Sequence, residues 1–457
     1  MRSISQITRA IWRNIMCDGR MQLVQPLALL PGPLALIIGT FAPSRWIFFL
    51  AYVYLLLLVA AYSWVRVLGP RISLSRMVQG DTMQVGDTLA ETWVVSNTAW
   101  LPLLWLEIID ETTLPGYAGR RVVAVGSGEE QSWEVLVRGV RRGVYQLGPY
   151  QARLGDPLGL FVYTWRDRAT TPLVVYPPLV RLEQLVVAQG RRGGQARADL
   201  LQQFVTPNVG GLREYVAGDS LTTVHWASVA RTGRLLVKQF DQEQAGAMWI
   251  VLDLCQASFA SIADTLVDVR EQVQEYTQTS AIDAPTTELR AATPVDLAIT
   301  LACSLAAQAL AAHRMVGLLA NDGQQRRVMP GRGARQLWEI QRALVDAEPN
   351  GAVPLDTLLA GLRHEAGASM VAVVTSDIGG EWLPRLVARR HHAQPSARAL
   401  LIAGQPMMAA PLVAQLAAQG VQAAVIGVDA SLPLLYPPRQ PQTMRVSPFG
   451  RVMRAEP

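Results

Sequence analysis

"AMWIVLDL", residues 247–254, is an apolar run that stops on a carboxylate, Asp253, and its reading decides the fold. A short continuous run of this kind, rich in Trp, Ile and Val, is the pattern of a strand covered on both faces. The pattern recurs in "MVGLLAND" (315–322), "SMVAVVTSD" (369–377), "ARALLIAG" (397–404) and "VQAAVIGV" (421–428). Helical patterns separate these runs: "DLAITLACSLAAQALAAHR" (296–314), read as strongly amphipathic, then "QLWEIQRALVDA" (336–347), "EWLPRLVARRHH" (381–392) and "PLVAQLAAQG" (411–420). Alternation of buried strands with helices predicts a doubly wound parallel α/β domain over 246–428, whose ligands would bind at the carboxyl ends of the strands. Asp253 and Asp377 stand at two such ends. An acidic insertion over about 256–295 is expected to be a solvated excursion.

Upstream, residues 67–180 change period. "ETWVVSN" and "SWEVLVRG" alternate polar and apolar residues, and turn signals recur at "QGD", "VGD", "LPG" and "GSGEE". This predicts a small antiparallel β-sandwich of immunoglobulin-like size. Residues 181–245 read as a loose linker, with "GRRGG" and "PNVGG", leading into a motif dense in charge and aromatics. Residues 429–457 are Pro-rich, mildly basic and expected to be disordered.

The first 66 residues are of a third kind. Residues 23–42 carry no charge and contain Pro26, Pro31 and Pro33; residues 46–65 carry none and are flanked by Trp46, Tyr62 and Trp64. Each is about 20 residues, the length that crosses a bilayer, with aromatics where interfacial belts form. Arg2, Arg9, Arg13 and Arg20 precede the pair, Arg66, Arg71 and Arg76 follow it, and the connecting turn holds only Arg45. The positive-inside rule predicts a transmembrane hairpin with both ends in the cytoplasm. The expected location is therefore the cell inner or plasma membrane, with the bulk of the chain cytoplasmic and the lipid bilayer as a partner.

Composition narrows the classes further. Half of the 457 residues are hydrophobic and 17% charged, which excludes a disordered chain. The net charge of +5 is spread out, and no basic helix carries interleaved aromatics, so no nucleic-acid partner is expected. Cys17, Cys255 and Cys303 are widely spaced, which predicts neither a disulfide framework nor a structural zinc site.

Between sandwich and α/β domain lies "GGLREYVAGDSLTTVHWASVARTGRLLVKQFDQE" (210–243), which contains the chain's only lysine, Lys238. This stretch resembles the signature of the family called domain of unknown function 58, DUF58. The matching positions are Arg213, Tyr215, Gly218, Asp219, Trp226, Ala230, Arg231, Val237, Lys238, Phe240 and Glu243. A second block, "RRGVYQLGPYQARLGDPLGLF" (141–161), resembles the family's arginine–glycine turn and its Asp-Pro-x-Gly-Leu-Phe ending. Thr222 and Val229 depart from the pattern. The resemblance implies two N-terminal spans, a β-domain, a von Willebrand factor A-like domain and a MoxR-type AAA+ ATPase as partner; it implies no established activity.

Within the motif, an alternating strand over 234–240 puts Leu236, Lys238 and Phe240 on one face. The expected role is structural: Arg213, Asp219, Arg231, Lys238 and Glu243 as an ion-pair network, with Trp226 as an apolar anchor; a partner-binding surface is the alternative. A metal-binding A domain would need Asp-x-Ser-x-Ser after its first strand, a Thr, and a later Asp. Here Asp253 and Asp377 fit, but Cys255 and Ala257 replace both serines, and no Thr stands out. Hard oxygen ligands are thus lost. No cofactor, metal or complete catalytic constellation is expected, and the favoured function is a non-enzymatic membrane-anchored scaffold or adaptor; the alternative is a metal-assisted hydrolase centred on Asp253 and Asp377.

Overall fold

A computed structural model describes residues 19–41, 45–182, 209–215, 224–240, 247–260, 262, 288–362, 368–393, 396–440, 444–446 and 452–454. Most of the linker and the acidic insertion lie outside these residues.

Helix α1 (Pro31–Phe41) and helix α2 (Arg45–Leu68) pack antiparallel: Gly32 lies against Tyr54 and Gly39 against Phe48. The stretch Arg45–Arg71 is long and apolar enough to cross a membrane and is only 11% buried; Pro294–Ala311 passes the same measure but is 83% buried, as a core helix is. The expected first span over 23–42 is not one helix. Leu23 ends a strand, Pro26–Leu29 form a 3₁₀ turn, and the α-helix starts at Pro31. Pro26 and Pro31 each lack the amide that a continuous helix would need, so each restarts the chain.

The sandwich is built from strands β2 (Ile72–Val78), β3 (Thr82–Gln84), β4 (Thr88–Asn97), β5 (Leu103–Asp110), β6 (Arg120–Val125), β7 (Glu130–Arg138), β8 (Gly143–Leu147), β9 (Tyr150–Gly155), β10 (Phe161–Asp167) and β11 (Thr171–Tyr176). The fold recruits one strand that the period reading does not reach. Strand β1 (Arg20–Leu23), upstream of the helices, pairs antiparallel with β10, giving a sheet of order β1-β10-β9-β5-β6 beside the sheets β2-β4-β7 and β3-β11-β8. The sandwich, expected to be antiparallel, is not so throughout, because the short β3 pairs parallel with β11. Four residues are too few to announce a strand by alternation. Val65 and Leu68 of α2 join the sandwich core with Leu74, Trp93, Leu106 and Trp165. Both ends of the helical pair are thus tied to one body.

The signature stretch forms its own hairpin, β12 (Val209–Glu214) against β13 (Leu236–Phe240), with Leu212 opposite Lys238. Between them helix α3 (Trp226–Thr232) ends on Gly233, whose left-handed φ of 68° supports the C-cap.

The α/β domain comprises β14 (Ala247–Leu252), α4 (Gln256–Ala260), the short strand β15 (Glu288–Leu289), α5 (Pro294–Ala311), β16 (Val316–Ala320), β17 (Arg327–Gly331), α6 (Gly333–Leu344), α7 (Leu355–Gly361), β18 (Ala368–Thr375), α8 (Leu383–Ala393), β19 (Ser396–Ala403), α9 (Ala410–Ala418) and β20 (Gln422–Gly427). Its six-stranded sheet runs β17-β16-β14-β18-β19-β20, parallel except for the edge strand β17. Met248, Ile250 and Leu252 of β14 face the core built with α5 and α6, while Trp249 and Val251 face the one built with α7, α8 and α9. That two-sided burial is why the run is continuously apolar. Helix α5, expected to be strongly amphipathic, is enclosed nearly all round: all its residues except Gln308 and Ala311 are buried. Small alanines let it sit between sheet and neighbours, so its apolar stripe extends around the cylinder.

Two boundaries move. Phe259 and Ile262 are core residues, and α5 begins at Pro294, so both flanks of the acidic segment belong to the α/β body. Residues 429–440, which the composition reading expects to be disordered, are also structured. Strand β21 (Leu432–Pro433) pairs with β15, Leu432 is buried, the Leu435 N–H donates to the Leu179 carbonyl, and the Arg439 N–H donates to Asp87 of the sandwich. Leucines among the prolines supply the burial that a purely compositional reading overlooks.

Candidate functional site

Counted in chain order, the six strands lie 3-2-1-4-5-6, and the order reverses between β14 and β18. The crevice outside the carboxyl ends at such a reversal is where doubly wound sheets bind ligands. Asp253 follows β14 there, Thr375 ends β18 and Asp377 follows it.

Asp253 is completely buried. Its Oδ1 accepts from the Cys255 N–H at 3.0 Å and from Asn321 Nδ2 at 2.9 Å; its Oδ2 accepts from Ser258 Oγ and Thr375 Oγ1, each at 2.7 Å. Four donors match the acceptor capacity of a carboxylate, which is what burying one demands. Asn321, at the end of β16, also donates to the Val353 carbonyl and accepts from the Leu254 N–H. The loop at Gly351 closes over this hub. A Cβ there would lie 1.6 Å from the Asn321 carbonyl oxygen, so only glycine lets the backbone approach.

Asp377 sits at the rim. Its N–H donates to Thr375 Oγ1 and its Oδ1 accepts the Gly379 N–H at 2.8 Å. Burial pushes its carboxyl pKa up, and the charges of Asp253 and Glu381 push the same way, against the Gly379 hydrogen bond. A raised carboxyl pKa means that the folded chain holds this proton above the unfolded value, so stability falls as pH rises through that interval. Asp377→Asn keeps an acceptor for Gly379 and removes the charge. It is expected to raise Tm slightly at neutral pH, with the gain vanishing once pH falls below the ordinary carboxylate range; paired melts at the two pH values check this.

The chemistry of these donors does not fit a hard cation. Where a metal-binding Asp-x-Ser-x-Ser loop would carry its serines stand Cys255, buried, and Ala257, which has no ligating atom. Ser258 and Thr375 direct their hydroxyl protons at Asp253, and Thr375 is fully buried. Among the described residues, no group of three His, Cys, Asp or Glu is arranged to hold a metal. Asp322, the next acid along this rim, is paired with Arg326.

Sequence reasoning placed Asp253 and Asp377 at strand ends but missed Asn321, Ser258 and Thr375. For Asn321 and Thr375 the signal is present, in "LLAND" and "VVTSD", as polar residues immediately after apolar runs.

The signature residues distribute differently. Tyr215 donates its N–H to the Leu235 carbonyl, and His225 donates its own to Leu236, closing α3 onto β13. Arg231 is exposed, and Trp226 is 62% exposed. The expected apolar anchor is thus a surface residue: it opens a helix that buries none of its side chains. Among the described residues, Arg234 and Glu214 of this hairpin form an ion pair, both exposed, and such pairs contribute little. Gly218, Asp219, Thr222 and Glu243 lie outside the described residues, as do the side chains of Arg213, Lys238 and Phe240; the expected network, Arg231 apart, falls there.

Of the comparisons with known proteins, one falls on this stretch. The family model described as protein of unknown function DUF58 matches residues 211–284. The uncharacterized protein YeaD of Bacillus subtilis (strain 168) is 24% identical over 186 residues, covering 39% of this chain and 47% of YeaD; the match spans about half the length of that relative. Among solved structures, the CARDB domain of a Pyrococcus furiosus protein in complex with di-metal ions is 16% identical, over 23% of this chain and 93% of that one, with a TM-score of 0.16. A β-glucosidase from Listeria innocua is 10% identical, over 23% of this chain and 16% of that one, also at 0.16. Likenesses this low carry no argument. The relationship that the matches support is to DUF58, through a segment that holds α3, β13 and the turn bearing Asp253.

Proposed function

We propose that the chain is a membrane-anchored cytoplasmic scaffold or adaptor whose doubly wound domain is von Willebrand A-like and whose partner is a MoxR-type AAA+ ATPase. The observation that carries the non-enzymatic part is the closure of the Asp253 hub: both carboxylate oxygens are engaged by internal donors, at the crevice where a catalytic or ligand-binding group would be needed. The strand order with its antiparallel edge supports the A-like reading. The apolar α1–α2 pair, returning to one sandwich, supports the anchor, and the arginines flanking it support the cytoplasmic side. The partner rests on the family resemblance. The competing metal-assisted hydrolase centred on Asp253 and Asp377 would require Asp253 to give up buried hydrogen bonds.

On this reading α3 is a contact surface, presenting Trp226 to a partner as an aromatic anchor of the kind that dominates interfaces. Trp226→Ser is expected to change stability by less than about 0.5 kcal/mol, as an exposed substitution does, while abolishing co-purification of the ATPase from detergent-solubilised membranes. Retained co-purification would remove α3 from the interface; absence of any AAA+ ATPase with the wild-type chain would sink the adaptor reading.

A further inference from the structure

The helical pair enters the sandwich at one end, and the loops at that end share an unusual character. Strand β1 leads toward α1 through Leu23, which pairs with Phe161 at the start of β10. Phe161 meets Tyr62 of α2 edge to face, with ring centroids 5.7 Å apart. Tyr62 lies where an interfacial aromatic belt belongs, so Phe161 marks the level of the bilayer surface. Strand β10 runs antiparallel to β1 and so away from the helices, which puts the turn preceding Phe161 on the helix side of that contact. It is the Asp-Pro-Leu-Gly-Leu-Phe motif, and its geometry is fixed. Buried Asp156 accepts the Leu160 N–H at 2.8 Å, the Val24 N–H donates to the Leu160 carbonyl at 2.8 Å, and Gly159 takes a φ of +69°. What the turn displays is Leu158, 51% exposed.

A second loop reaches the same end. Strand β4 runs antiparallel to β2, with Asn97 opposite Ile72, so the β4–β5 loop lies beside the base of α2. Thr98 donates both its N–H and its hydroxyl to the Arg71 carbonyl there. This loop exposes Trp100, at 72%, with Leu101 and Pro102 half-buried behind it. Arg66 and Arg71 are exposed around the helix base. The neighbouring β6–β7 turn, joined to the Trp100 loop by Ser127 Oγ donating to the Ala99 carbonyl, carries exposed Glu129 and Glu130, which require water. One end of the sandwich therefore presents an aromatic and an aliphatic tip, two guanidiniums and a hydrated acidic turn around an apolar helix. That mixture matches the polar–apolar boundary of a bilayer and not its hydrocarbon core.

We propose that the Trp100 loop and the Leu158 turn form a lipid-contacting collar that seats this end of the sandwich at headgroup level and fixes its tilt on the membrane. The Asp-Pro-Leu-Gly-Leu-Phe motif is thereby assigned a role, the presentation of Leu158 to lipid. The proposal rests on the reading of α1–α2 as bilayer-inserted, and the test separates the two. In the full chain carrying Cys17→Ser, where Cys255 and Cys303 remain buried and unlabelled, an environment-sensitive fluorophore is attached at Trp100→Cys, Leu158→Cys, Leu56→Cys in α2 or Val144→Cys on β8. Each chain is reconstituted in phosphatidylcholine–phosphatidylglycerol vesicles with and without bromine-labelled acyl chains. Labels at 100 and 158 are expected to emit blue-shifted light and to be quenched, less than at 56 and more than at 144; either position decides by itself. Emission at 100 and 158 like that at 144, with 56 still quenched, overturns the collar and leaves the anchor standing. A blue shift without quenching assigns this end to a protein contact and also overturns it. An unquenched label at 56 overturns the anchor, and the collar with it.

Discussion

Asp253→Ala is expected to cost the α/β domain on the order of 4 kcal/mol. The change removes one acceptor group and leaves four donors behind: the Cys255 N–H, Asn321 Nδ2, Ser258 Oγ and Thr375 Oγ1. Each buried donor left unmatched costs about 1–3 kcal/mol, although the two hydroxyls can rotate to recover part of that. Four kcal/mol is a large share of the roughly 5–15 kcal/mol by which domains are stable, and corresponds to a Tm drop of roughly 10 °C. Asp253→Asn should fall between the two, because its amide group turns a donor toward two donors. The same melts examine the hydrolase reading. Chelator and Mg²⁺ are expected to leave the wild-type Tm unchanged; Mg²⁺-dependent stabilisation together with a near-wild-type Tm for Asp253→Ala would restore a metal site.

The hub also shows how far a sequence can be read. Asp253 was legible because β14 is a two-sided buried strand, and a carboxylate ending such a run must face the crevice. Its partners were not, because Asn321, Ser258 and Thr375 come from three separate segments, and the contacts between them are set by sheet order, which periodicity does not encode. The sandwich and the parallel strands were legible for the same reason as β14: burial imposes a period. Where burial is imposed by something other than period, the reading failed. Leu432 is buried by a Pro-rich segment that looks unstructured, β1 is a four-residue addition to a sheet whose other strands lie beyond the helices, and α5 is enclosed on nearly every side although its sequence has the outline of a one-faced helix. Trp226 failed in the opposite sense. A large aromatic inside a family-like motif invites a core assignment, yet a seven-residue helix with no buried residue holds it in the open.

The second large effect is expected at Arg142, in the arginine–glycine turn between β7 and β8. Its guanidinium leaves the sandwich and enters the α/β domain, pairing with Asp296 in the first turn of α5 and donating to the carbonyls of Leu344 and Ala347 at the end of α6. One cation thus neutralises a carboxylate and caps a helix C-terminus, the end that favours positive charge. Burial lowers the Arg142 pKa to about 10, still well above neutrality, so the charge persists. Arg142→Ala would leave Asp296 with Thr293 and the more distant Arg141 and two carbonyls without this donor. The expected cost is about 3–5 kcal/mol, as for breaking a buried pair from one side. Arg142→Lys keeps the charge but loses the planar fork that reaches three acceptors, and should recover only part of that cost. Because the pair joins two bodies, the loss should also be visible as cooperativity: calorimetry of Arg142→Ala should resolve separate sandwich and α/β transitions where the wild type melts as one. A single transition at the wild-type temperature would mean that the C-terminal strap's hydrogen bonds, Arg439 N–H to the Asp87 carboxylate and Leu435 N–H to the Leu179 carbonyl, suffice to hold the bodies together. If the pin governs the junction, Arg142→Ala should also loosen the sandwich against the α/β domain that bears the Asp253 crevice, without touching that crevice.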